Sequence, residues 1–187
     1  MFAFIIKYVK WLIFPHILRS LIRVKFPKSL IASNVNIICR SLAKIRLKEG
    51  VFIGANCVIH IIDNDNEDYA FFSVGKDTYI GENNNIRAAG GKIEIGSNCL
   101  LAQNISLISS NHLYSELSTN ISSQGWDKQK RDILIGNNVW IGANVVILPG
   151  VTIGSGAIVG AGSIVTKDVS EKAVLIGTPA NILKYRT

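Results

Sequence analysis

From Ile135 onward, an aliphatic residue returns at every sixth position. Ile135, Ile141, Ile147, Ile153, Val159 and Val165 open units that read IGNNVW, IGANVV, ILPGVT, IGSGAI, VGAGSI and VTKDVS, and glycine follows the opener in four of them. Two positions before each later opener stands a small or aliphatic residue: Val139, Val145, Val151, Ala157 and Ser163. The same phase runs through Ile31 and Ile37, Ile53 and Ile59, Val74, Ile80 and Ile86, and Ile95, Leu101 and Leu107. A helix would show a period near 3.6 and a plain strand a period of two. A period of six with glycine or asparagine beside the aliphatic residue predicts short strands joined by tight corners, the aliphatic side chains stacking inward.

The count stops after the unit opened by Leu107 and resumes at Ile135. Residues 113–132 are therefore an excursion from the regular coil, holding Tyr114, Glu116, Trp126 and the charged run DKQKRD. So long a loop in a compact domain is usually functional, and it is expected to wall a site, against a neighbouring subunit. His112 stands at the hinge where the rigid coil ends and the loop begins. An imidazole titrates near neutral pH and suits proton transfer, provided that it is held firmly and shielded from water.

The residues and motifs NHLYSE, ILIGNNVWIGANVVILPGVTIG and GAGSIVTKD…GTPA resemble those of the hexapeptide-repeat acyltransferases, in particular galactoside, maltose and capsular-polysaccharide O-acetyltransferases. The resemblance covers roughly residues 30–187. It implies an all-β fold: a left-handed parallel β-helix in which three hexads make one coil, with a short helical segment before it and a protruding loop. It also implies an acetyl-CoA-dependent O-acetyltransferase acting on a surface or capsular sugar, sialic acid among the candidates. In that family the histidine matched by His112 deprotonates the acceptor hydroxyl, which attacks the thioester directly, and a backbone N–H near the turn stabilises the oxyanion. Further roles are implied position by position. Trp140 lines the site. Asn83 or Asn85 contacts the acceptor, a choice that a one-residue slip leaves open. Asn111 replaces a glycine that approaches the thioester. Ala143 and Ala161 face the pantetheine arm. Thr166 and Lys167 contact coenzyme A, Lys167 as a point charge on phosphate. Two family arginines that hold coenzyme A phosphates correspond to Asn181 and Lys184, of which only Lys184 keeps the charge. The family assembles as a homotrimer with its sites between subunits. Two other functions stay open, N-acetylation of a nucleotide-linked amino sugar and a non-catalytic β-helix scaffold.

Charge changes the picture at the N-terminal end. The chain of 187 residues carries a net charge of +7, yet ten of its twenty Lys and Arg precede the first acid, Glu49. Such asymmetry suggests an anionic partner for the first quarter, a membrane surface, nucleic acid or a polyanion; a nucleic-acid partner is not expected in this family. The opening stretch MFAFIIKYVKWLIFPHILRSLIRVKFPKSL is apolar and basic, with no uncharged run near the roughly 18 residues of a spanning helix, and no cleaved leader is expected. Pro15 and Pro27 bracket the second of two short amphipathic helices. The segment 1–28 is expected to cap the end of the β-helix, to lie on a membrane surface, or both. The acyltransferase domain proper is expected over 29–187 with a short C-terminal extension, in the cytoplasm or at the inner face of the membrane.

Three cysteines form no disulfide framework. Cys57 and Cys99 occupy equivalent hexad positions and are expected as small core residues. His60 follows an inward aliphatic residue and so points outward, while His16 lies in the leading segment. The two histidines on the coil fall short of a three-histidine zinc site, so no metal is expected.

Overall fold

The structure, a computed structural model, describes residues 20–63 and 68–187. Among them, nineteen strands form three sheets of eight, six and five strands, parallel except for the final pair. From the fourth strand to the seventeenth, each pairs with the one three positions earlier in the winding, so three strands complete one turn of a left-handed parallel β-helix.

The period of six appears as inward columns. In the first sheet Ile31, Ile53, Ile80, Leu101, Ile141, Val159 and Leu175 stand in register. The second sheet stacks Ile37, Ile59, Ile86, Leu107, Ile147 and Val165. The third stacks Leu47, Val74, Ile95, Ile135 and Ile153. All of these side chains are buried, and burial of each contributes about 1.5–3 kcal/mol. The residues two places earlier complete the filling. The buried polar ones among them, Thr78, Asn84 and Ser163, are bonded: Thr78 Oγ1 donates to Gly96 O at 2.8 Å, Asn84 Nδ2 to Gly81 O at 2.9 Å and Ser163 Oγ to Gly160 O at 2.7 Å. That satisfies the demand that dry polar groups be paired. Cys39, Cys57 and Cys99 are buried and unpaired with one another, and burial pushes their thiols up, away from thiolate reactivity.

Corners explain the asparagines. Asn56, Asn83, Asn104 and Asn144 turn one edge of the prism at φ of 57–60°, where asparagine is one of the few side-chain-bearing residues to sit readily. Asn83 N–H donates to Ala55 O at 2.8 Å, Asn104 to Glu82 O at 3.0 Å and Asn144 to Gln103 O at 3.1 Å, so the corners form a ladder of their own.

At the N-terminal end residues 20–25 are helical, Pro27 follows, and Ile22 is fully buried in the core cluster. Arg23 Nη2 donates to Ile31 O at 2.8 Å and Lys25 Nζ to Leu42 O at 2.7 Å, which ties this turn to the first coil. Pro15, His16 and the first of the two expected helices lie outside the described residues. At the other end Ala180–Tyr185 folds back antiparallel on Ala173–Gly177, closing the first sheet with a hairpin.

Candidate active site

The three edges of the prism differ. The edge between the first and second sheets is smooth, turning through Gly54–Asn56, Gly81–Asn83, Ala102–Asn104, Gly142–Asn144 and Gly160–Gly162 in successive coils. The edge between the second and third sheets is irregular. It carries a 3-10 turn at Leu42–Lys44, an excursion of which Asp63 and residues 68–70 are described, a tight Gly90–Gly91 corner, the long flap before Ile133, Pro149–Gly150, and Thr166–Asp168. We call the first the smooth edge and the second the flap edge.

His112 lies on the flap edge. Ser106–Ile108 ends the regular strand, and Ile133–Ile135 resumes it. The flap between them returns on itself: His112 forms an antiparallel bridge with Trp126, Asp127 N–H donates to Asn111 O at 2.8 Å, and Leu113 N–H to Gly125 O at 3.0 Å. The rings of His112 and Trp126 meet edge to face, 6.3 Å between centroids. Beneath the indole the backbone closes in: a Cβ on Gly90 would stand 2.6 Å from Trp126 Cε3. His112 is exposed in the single chain, as is the tip of the flap, where Tyr114 and Leu117 project.

The base of the flap is locked to the earlier excursion. Tyr69 Oη donates to Asp132 Oδ2 at 2.7 Å, the other oxygen of Asp132 accepts Lys92 N–H at 2.9 Å, and the Arg131 guanidinium lies 3.7 Å from the centre of the Tyr69 ring. The bond to the Asp132 carboxylate, with burial behind it, raises the Tyr69 phenol above its ordinary range. Sequence reasoning missed this lock. The signal was a second interruption of the count, the gap from Ile59 to Val74, which is not a multiple of six.

The other expected site residues fall into two groups. Thr166 and Lys167 are exposed on the flap edge with His112. Ala143 and Ala161 lie one coil apart on the smooth edge, with Gly162 N–H donating to Ala143 O at 2.8 Å. Asn83 is a corner of that edge, so its left-handed backbone accounts for its presence, whereas Asn85 begins the strand Asn85–Ala89 in the second sheet. The buried Asn84 between them is held by its carbonyl partners and by Ile105 N–H. Trp140 is half exposed on the outer face of the first sheet, in register with Leu100 and Ile158. Lys184 is exposed on the final strand, and the Asn181 amide is bonded to Pro179 O at 2.9 Å. One chain thus brings His112, Thr166 and Lys167 to one edge and Asn83, Ala143 and Ala161 to another, with the second sheet between. His60, on the outer face of that sheet beside Arg87, has its pKa lowered by burial and then by the guanidinium charge.

These features have counterparts among known proteins. Residues 132–167 match the family described as bacterial transferase hexapeptide (six repeats). Among similar solved structures is the polySia-specific acetyltransferase NeuO, 29% identical, aligned over 85% of this chain and 74% of its own, with a TM-score of 0.63. A galactoside acetyltransferase solved with coenzyme A is 28% identical over 89% of this chain and 68% of its own, TM-score 0.55. A hexapeptide-repeat acetyltransferase from Vibrio cholerae O1 biovar eltor, solved with acetyl coenzyme A, is 25% identical over 90% of this chain and 76% of its own, TM-score 0.58. With its columns of sixes and these relatives, the protein is a chain of hexapeptide repeats wound as a left-handed β-helix, the fold it shares with these acetyltransferases.

Proposed function

We propose that the protein transfers an acetyl group from acetyl-CoA to a hydroxyl of a surface or capsular polysaccharide sugar. His112 is the general base. The imidazole takes the proton of the acceptor hydroxyl as its oxygen adds to the thioester carbonyl, and gives the proton up as the thiolate departs. The carrying observation is the placement of His112: an exposed side chain just past the strand Ser106–Ile108, bridged to Trp126 on the return leg of a flap whose base is locked. A non-catalytic scaffold has no use for a flap whose base is fixed by a phenol–carboxylate bond and whose return leg packs against a histidine.

The small corners Ala143 and Ala161 leave room for a thin chain such as pantetheine against the smooth edge, and Lys167 offers a phosphate a cation on the flap edge. A complete site therefore calls for the smooth edge of one subunit to face the flap edge of the next, with Asn85 and Trp140 near the acceptor. We take the working form to be a homotrimer of about 60 kDa, closed by cyclic symmetry. The outer face of the first sheet gives such an assembly something to cover: Leu30, Leu100 and Trp140 are about half exposed or more, and Phe52 and Tyr79 stack on one another at 4.8 Å in the same row.

The test is release of free thiol from acetyl-CoA across a panel of sugar acceptors, run with the wild type and His112→Ala. Loss of a general base typically lowers kcat about 10²–10⁴-fold, and stability should move by less than about 1 kcal/mol because the imidazole lies outside the packed columns. Retention of more than about a tenth of kcat would rule out His112 as the base.

A further inference from the structure

Beside the flap edge, on the outer face of the third sheet, lies a hollow of about 440 Å³ lined by residues that include Ser41, Lys44, Arg46, Tyr69, Phe71 and Lys92. A second hollow of about 240 Å³ continues it past Arg46 and Phe71 to Lys48. The first falls within the size of small-ligand pockets, roughly 300–1,000 Å³.

Its charges are not equivalent. Lys44 is already neutralised, with Nζ bonded to Asp63 at 2.9 Å and to Asp68. That pair closes the excursion and presents no net cation. Asp132 is likewise occupied, accepting from Tyr69 and from Lys92 N–H. Arg46 and Lys92 differ. Among the described residues neither brings its charged end to a carboxylate. Both are instead laid over aromatic rings, Arg46 4.8 Å from the centre of Phe71 and Lys92 4.4 Å from that of Tyr69. An aromatic face holds a cation in place while leaving its donors free for another partner. Such ordering reduces the side-chain entropy lost when a ligand binds. The Arg131 guanidinium also lies over the Tyr69 ring, and Glu94 is the remaining acid of the lining.

We propose that this hollow binds a carboxylate-bearing sugar unit of an acidic polysaccharide, with Arg46 and Lys92 holding the carboxylate. The continuation past Lys48 gives a neighbouring unit its place. The proposal deepens the acetyl-transfer reading, on which it rests for its biological sense, by naming an acidic chain as the acceptor class. The hollow is joined to the flap through Tyr69, Arg131 and Asp132, so a chain gripped there lies on the edge that carries His112.

Binding is measured by calorimetry at low salt, without acetyl-CoA, for an oligosialic acid, an oligogalacturonate and a maltooligosaccharide of matched length. At least one acidic chain should bind, and the neutral chain should bind far more weakly. Arg46→Ala and Lys92→Ala should each weaken binding about tenfold, as loss of a charge-assisted contact does, and Arg46→Lys should recover part of the loss. Glu94→Gln should tighten it by removing a like charge. Arg46 and Glu94 are exposed, so these two variants keep their fold. Equal binding of the neutral chain, no binding of either acidic chain, or unchanged affinity in Arg46→Ala overturns the proposal. The failures are distinguishable: a protein that grips the acidic chain but releases no thiol from acetyl-CoA keeps the subsite and loses the transferase reading, and one that acetylates without gripping the chain does the reverse.

Discussion

The indole of Trp126 stands edge-on to the imidazole of His112, with 79° between the ring planes, and rests on the bare backbone of Gly90. Two successive coils meet there, the corner of one and the hinge and return leg of the flap of the next. Gly90 has φ of +66° as well as the indole against it. Gly90→Ala therefore costs about 1–2 kcal/mol in backbone conformation and also drives the indole away from His112. A small displacement of catalytic surroundings can cost about 10²-fold in rate, so kcat should fall far more than stability accounts for. Gly125→Ala is the control. It has φ of +80° in the same flap but open space around it, so it should lower the melting temperature without a comparable loss of kcat. Equal kcat in the two variants would show that the indole does not support the site.

The Tyr69–Asp132 bond gives the flap a dependence on alkaline pH. The folded protein holds the phenol proton more tightly than the unfolded chain, whose phenol titrates near 10.0. A group with a raised folded pKa contributes its stability below the unfolded value and loses it as pH rises through the folded one. Tyr69→Phe should thus be less stable than wild type by about 1 kcal/mol near neutral pH, a modest figure because the bond is partly solvated. The gap should close above a pH of about 10. Urea unfolding of both proteins at neutral and alkaline pH tests this; a gap that persists undiminished would mean that the hydroxyl bond is not what holds the flap base.

Much of this architecture is written in the sequence, and the reason is geometric. A column position such as Leu107 must be apolar in every coil, so the period exposes it directly. The corner position is equally constrained, which is why asparagine recurs at 56, 83, 104 and 144. The choice between Asn83 and Asn85 rested on a one-residue slip, and type does not resolve it, because an asparagine demanded by the backbone, as Asn83 is, looks the same in sequence as one that contacts a sugar. The place of His112 at the hinge of the flap was legible because the count stops there. Tyr69 was not, because its partner Asp132 lies 63 residues away and no local pattern links the two. The ring-held state of Arg46 and Lys92 was hidden for a like reason: on an outward strand face, period alone does not distinguish a solvated cation from one laid over an aromatic ring.

Lys167 is exposed at the corner that follows Ile164–Val165, on the same edge as His112. If it pairs with a phosphate of coenzyme A, the contact is present in ground and transition states alike. Lys167→Ala should then raise KM for acetyl-CoA more than it lowers kcat, and the increase should shrink with added salt. An unchanged KM at low salt would remove Lys167 from the coenzyme A site.

The division of site residues between two edges makes the assembly itself testable. His112 lies on the flap edge and Ala161 on the smooth edge, with the second sheet between them. Ala161→Trp fills the smooth edge with an indole and should block the pantetheine path, while His112→Ala removes the base; each pure trimer should be nearly inactive. In a shared site the two halves come from different chains. When the two variants are mixed, unfolded and refolded together, about a quarter of the sites in random cyclic trimers combine an intact flap edge with an intact smooth edge. Activity should therefore return to about a quarter of wild type. If both halves of a site came from one chain, every site would carry one lesion and the mixture would stay as inactive as its parents. Sedimentation of the refolded mixture gives an independent reading, since a species of monomer mass with recovered activity would be incompatible with a site built between subunits.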